Sequence, residues 1–96
     1  MATHVILSRF SPGSFTDPHE FRILAKTVSE KIKHECPGVT WKDSYCTMGR
    51  YDAVDIVESD DPAQVQKAAM IIRSYGRSLT ETLPATPWKQ FINNIE

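Results

Sequence analysis

Two aspartate–proline pairs divide this chain. Asp17-Pro18 and Asp61-Pro62 each stand just before an apolar stripe with helical spacing. The first stripe is Phe21, Leu24, Ala25, Val28 and Ile32; the second is Val65, Ala68, Ala69, Ile72 and Tyr75. Asp17 is a ready N-cap, Pro18 fits the first helical position, and Glu20 completes a box-like spacing. Ser59-Asp60-Asp61-Pro62 caps the second helix in the same manner. Cys36-Pro37-Gly38 ends the first helix, and Gly76, at the C′ position, stops the second.

The segments between and around these helices carry strand character. They run over residues 3–10, 39–47, 52–58 and 77–84. Ser11-Pro12-Gly13-Ser14 is a breaker loop. Met48-Gly49-Arg50-Tyr51 is a short turn, so the second and third strands form a hairpin. Residues 87–94 predict a short terminal helix with Trp88, Phe91 and Ile92 apolar. The resulting order is β-α-β-β-α-β, the ferredoxin-like α+β arrangement: a four-stranded antiparallel sheet with both helices on one face. The 96 residues suit a single domain spanning 1–96.

Strand alternation predicts the two sheet faces. Ile6, Ala53 and Val57, mixed with Ser8, Asp55, Thr80 and Thr82, are assigned to the face away from the helices. That mixture is too apolar for open water and too polar for a second core, which predicts a second copy of the sheet packed against it. In the second strand Trp41, Asp43 and Tyr45 share one face and Lys42, Ser44 and Cys46 the other. The pattern leaves open which of these meets the core.

Composition excludes several function classes. A net charge of −1 gives no electrostatic footprint for nucleic acid or an anionic membrane surface. No apolar run approaches the roughly 20 residues needed to span a bilayer. No export signal is visible at the N-terminus, so a cytoplasmic location with Cys36 and Cys46 as free thiols is expected. His34, Cys36 and Cys46 lack the number and spacing of a structural zinc set, and no metal or other cofactor is expected.

Three acids lie in the run Asp52-Ala53-Val54-Asp55-Ile56-Val57-Glu58. Asp52 and Glu58 share a face but stand roughly 20 Å apart along an extended strand. A carboxylate pair doing acid–base work needs about 5–10 Å. Asp55 points to the opposite face. Asp52 therefore reads as a turn residue bonding backbone amides, and Glu58 as one member of an ion pair. Asp55, in mid-strand, needs a partner or water. It is the acid expected to touch a ligand or a partner subunit; Trp41, Tyr45 and Glu81 are the other ligand-binding candidates.

The turn Gly49-x-Tyr51-Asp52, followed by Val54, Ile56 and Glu58 and the helix start at Asp60-Asp61, resembles the GYD domain family. Thr80-Glu81-Thr82 resembles that family's last strand. The resemblance implies a ferredoxin-like domain of the dimeric α/β-barrel kind, with a homodimer or higher homo-oligomer formed through the sheet face. Gly49, Tyr51 and Asp52 are expected as structural turn residues, and the short hairpin turn predicts a positive φ at Gly49. The resemblance carries no catalytic residues over. The chain is expected to be a small ligand-binding or accessory protein. The competing expectation is a cofactor-independent enzyme, monooxygenase- or isomerase-like, acting on a small organic substrate.

Overall fold

The structure, a computed structural model, describes residues 1–13 and 16–95. Seven elements follow in order: β1 Ala2–Phe10, α1 Pro18–Glu35, β2 Thr40–Cys46, β3 Ala53–Ser59, α2 Pro62–Ser74, β4 Ser78–Ala85 and α3 Trp88–Ile95. The four strands form one antiparallel sheet in the order β2-β3-β1-β4. This is the ferredoxin-like fold that the aspartate–proline punctuation predicts. Ser14, in the predicted breaker loop, lies outside the described residues.

The helix starts are held by side chains. Asp17 accepts a hydrogen bond from the Glu20 amide at 2.8 Å, and Pro18 sits in the first turn. The Glu20 carboxylate in turn accepts from the amide and hydroxyl of Thr16 at 3.1 and 2.5 Å. These bonds lower the Glu20 pKa below the usual carboxylate range. Asp61 caps α2 by accepting from the Ala63 amide at 3.0 Å. The fully buried Ser59 hydroxyl ties this start to the end of α1, donating to the Gly38 carbonyl at 2.7 Å.

The core joins Ile6 and Val57 of the sheet to Ile32 and Cys36 at the end of α1 and to Val65, Ala68, Ile71 and Ile72 of α2. Ile6 and Val57 are 0% exposed. This overturns the expected face assignment. Ile6, Ser8, Ala53, Asp55 and Val57 lie on the helix side, because strand alternation carries every second residue along with the buried pair Ile6 and Val57. The open side carries Val5, Leu7, Val54, Ile56, Leu79 and Leu83, with Leu79 59% exposed.

Three local expectations also change. The pairing slips between Trp41 and Asp43, so Lys42 is a bulge residue. Trp41 then pairs opposite Val57 and Ser44 opposite Asp55, on the helix side, while Asp43 and Tyr45 fall on the open side. At the hairpin loop, Met48 (φ 51°) takes the left-handed conformation rather than Gly49. On α2, Tyr75 is exposed with the Lys31 ammonium 4.8 Å above its ring, and Ile71 takes the buried place.

Candidate functional site

The helix side of the sheet is not filled. Along its 18 residues α1 buries only Ile32 completely. Of the rest of its apolar stripe, Phe21, Leu24 and Val28 are half-buried and Ala25 is exposed, and all four face a cavity of about 640 Å3 between α1 and the sheet. α2 packs against the sheet through five buried side chains, so the gap opens under α1, with Ile72 of α2 also lining it. The volume lies within the usual range for small-molecule pockets.

The sheet supplies a polar floor. Ser44 donates to Asp55 Oδ1 at 2.6 Å, and the Trp41 indole N–H donates to the same oxygen at 3.2 Å and to Ser44 Oγ at 2.9 Å. The bulge at Lys42 makes this cluster. Without it Trp41 and Ser44, three residues apart, would sit on opposite faces. The Asp55 carboxylate is half-buried, and the partners it has are neutral.

Ser8 lies diagonally across from Asp55, paired with Ala53 while Ile6 pairs with Asp55. Its side chain lines the cavity, the residue is 3% exposed, and its Oγ has no hydrogen-bond partner. A buried hydroxyl without a partner costs free energy that a ligand's polar atom recovers. The other such atom among the described residues is His4 Nδ1, which does not line the cavity. Cys36 does line it, and burial pushes its thiol pKa up. Among the described residues no cluster of histidine, cysteine and acidic side chains is placed to hold a metal ion.

The structure separates the four candidates read from the sequence. Trp41 and Asp55 meet in the cavity floor. Tyr45 and Glu81 are on the open face, where Glu81 accepts a 2.5 Å hydrogen bond from the Tyr51 hydroxyl. That bond raises the Tyr51 pKa. Asp52 is bound into the backbone: its Oδ2 accepts from the Phe10 amide at 2.8 Å, and its own amide donates to the Ser8 carbonyl at 2.8 Å. Glu58 faces Lys42 at 3.9 Å. Sequence reasoning missed Ser8 and Ser44 as site residues. The available signal was the row of small polar residues alternating with Ile6 and Val57 on a face that a full core would make wholly apolar.

Fold and cavity define a ferredoxin-like α+β domain with a pocket between its first helix and its sheet. The chain belongs to the GYD domain family, whose sequence model matches residues 4–95. It is 32% identical, over the whole of both chains, to the glutamine synthetase and cystathionine beta-lyase binding protein of Thermus thermophilus. Among solved structures it is similar to FFRP-DM1, with 25% identity, a TM-score of 0.50, and 90% of this chain and 100% of that one covered. A protein of Arabidopsis thaliana matches the fold with a TM-score of 0.53 at 13% identity, over 91% of this chain and 95% of that one.

Proposed function

We propose that this protein is a homodimeric accessory protein that binds a small organic ligand in the cavity under α1. The observation carrying the reading is the unpartnered, buried Ser8 hydroxyl in a largely apolar cavity of about 640 Å3. Binding is favoured over catalysis by the chemistry of the lining. The Cys36 thiol stays protonated at neutral pH and is a poor nucleophile. Asp55 Oδ1 is already engaged by two hydrogen bonds, from the Trp41 indole and the Ser44 hydroxyl.

The open sheet face supports the dimer. It is the more apolar of the two faces, and water is a poor cover for Leu79, Leu83 and their half-buried neighbours Val5, Leu7, Val54 and Ile56. A second copy laid across it removes the whole patch at once and keeps each cavity on the outside of the assembly. The relative from Thermus is named for binding two metabolic enzymes; by that analogy this protein docks on enzymes and reports on the ligand it holds.

Native mass spectrometry of gently purified protein tests the ligand. A bound small molecule, lost when Ala53→Phe fills the cavity, is expected. Protein that carries nothing, and whose Leu24 and Val28 methyl resonances ignore a fragment library, refutes the reading. Light scattering tests the dimer: wild type is expected at twice the monomer mass, and Leu83→Glu at the monomer mass.

A further inference from the structure

The charge pattern of the cavity points to a class of ligand. Among the described residues two charged side chains line it, Asp55 on the sheet floor and Lys33 on α1. They form no ion pair with each other, and Lys33 is exposed, so water screens its charge. Asp55 is half-buried and, among the described residues, bonded only by the neutral Trp41 indole and Ser44 hydroxyl, both on Oδ1. A neutral, donor-free ligand seated on this floor would strip water from a carboxylate and give nothing back. An anion would add repulsion. A ligand with a protonated nitrogen replaces the lost water with a charge-assisted bond.

We infer that the cavity selects an organic cation: an apolar, ring-bearing amine whose ammonium group binds Asp55 Oδ2 and whose far end carries a polar substituent for Ser8 Oγ. The two anchors are diagonal neighbours on adjacent antiparallel strands, so their Cα atoms lie about 7 Å apart, close to the span of one substituted ring. Half-buried Phe21, Leu24 and Val28 of α1 cover the ring from above, and Trp41 flanks it. The inference rests on the reading of the cavity as a ligand site, and the test separates the two.

Tyramine, neutral 4-ethylphenol and anionic 3-(4-hydroxyphenyl)propanoate share one ring and one hydroxyl and differ in charge. Each is titrated into the intact protein, with the methyl resonances of Leu24 and Val28 as readout. Tyramine is expected to bind about tenfold or more tighter than 4-ethylphenol, as a hydrogen bond to a charged group allows, and the propanoate weakest. In Asp55→Asn the advantage of tyramine over 4-ethylphenol should vanish. In Ser8→Ala all three should weaken together. Tyramine and 4-ethylphenol binding equally to wild type, or an advantage that survives Asp55→Asn, overturns the cation and leaves the cavity reading standing. If no compound moves the methyl resonances, the ring-bearing cation is overturned, and the cavity reading falls with it where the native mass spectrum and the fragment library are also blank. The comparison of the three compounds on wild type needs no variant, so poor folding of Asp55→Asn does not remove the test.

Discussion

Replacing Asp52 by alanine isolates what the family signature does. The Asp52 carboxylate accepts from the Phe10 amide at 2.8 Å, joining the last residue of β1 to the loop that precedes β3. Its backbone already bonds Ser8 O through its amide and Thr47 N through its carbonyl, at 2.8 and 3.0 Å, and alanine keeps both. The substitution therefore deletes one charge-assisted bond to a half-buried residue. A hydrogen bond to a charged group contributes about 1.5–3 kcal/mol, so a loss near 2 kcal/mol is expected. For a domain of this size, with m in urea of about 1.2 kcal/mol/M, that is a midpoint lower by about 1.7 M. The melting temperature should fall by about 8–16 °C at fixed protein concentration. Asp52→Asn keeps an acceptor oxygen and loses the charge, so it should fall between. An alanine variant whose urea midpoint stays within about 0.3 M of wild type would refute the assignment, because a merely exposed aspartate produces that result.

Gly49→Val should change stability by no more than about 0.5 kcal/mol, since the space around a Cβ there is open and the left-handed φ belongs to Met48; a larger drop in urea midpoint would show that the loop needs glycine at position 49. Gly76→Ala should cost about 1–3 kcal/mol, because its Cβ would stand 2.4 Å from the Ile72 carbonyl oxygen, and a melting temperature equal to wild type would contradict that contact. Tyr51→Phe should show a pH signature. The Glu81 carboxylate raises the Tyr51 pKa, so the bond contributes stability below the ordinary phenol range and loses it as pH climbs through the raised value. Urea midpoints taken from pH 8 to 11 should find the variant weaker at pH 8 and the gap closing above pH 10; a constant gap would place the effect elsewhere.

The parts of this molecule that depend on neighbours in sequence were legible before the structure. The caps at Asp17 and Asp61 and the order of seven elements follow from residue types within a few positions of one another; the Asp52 carboxylate, expected on the amides of its own turn, instead accepts from Phe10, 42 residues away. The 20 Å argument that kept Asp52 and Glu58 from acting together was legible too, since it needs only the rise of a strand. The sheet faces were not legible. Val5, Leu7, Val54 and Ile56 are more apolar than Ile6, Ser8, Ala53 and Asp55, so hydrophobicity alone assigns the first set to the helices. The assignment fails because the helix side is part core and part cavity. Ile6 and Val57 serve the core under α2, while Ser8, Ala53 and Asp55 serve the cavity under α1.

The floor of that cavity depends on one residue that period-two counting passes over. In a regular β2 every second side chain shares a face, which groups Trp41 with Asp43 and Tyr45 and sends Ser44 to the other side. Lys42 occupies the bulge, and from that point the alternation runs one step late. The shift brings the Trp41 indole within 3.2 Å of Asp55 and Ser44 within 2.6 Å, and it leaves Tyr45 on the open face with Val54. A bulge leaves little mark on composition, because its residue is set by exposure and not by pairing; here the Lys42 ammonium reaches toward Glu58 at 3.9 Å, as an ordinary edge lysine would. The carboxylate that distinguishes this cavity thus owes its two donors to a lysine that does not line it, and the sequence shows that lysine only as a surface charge.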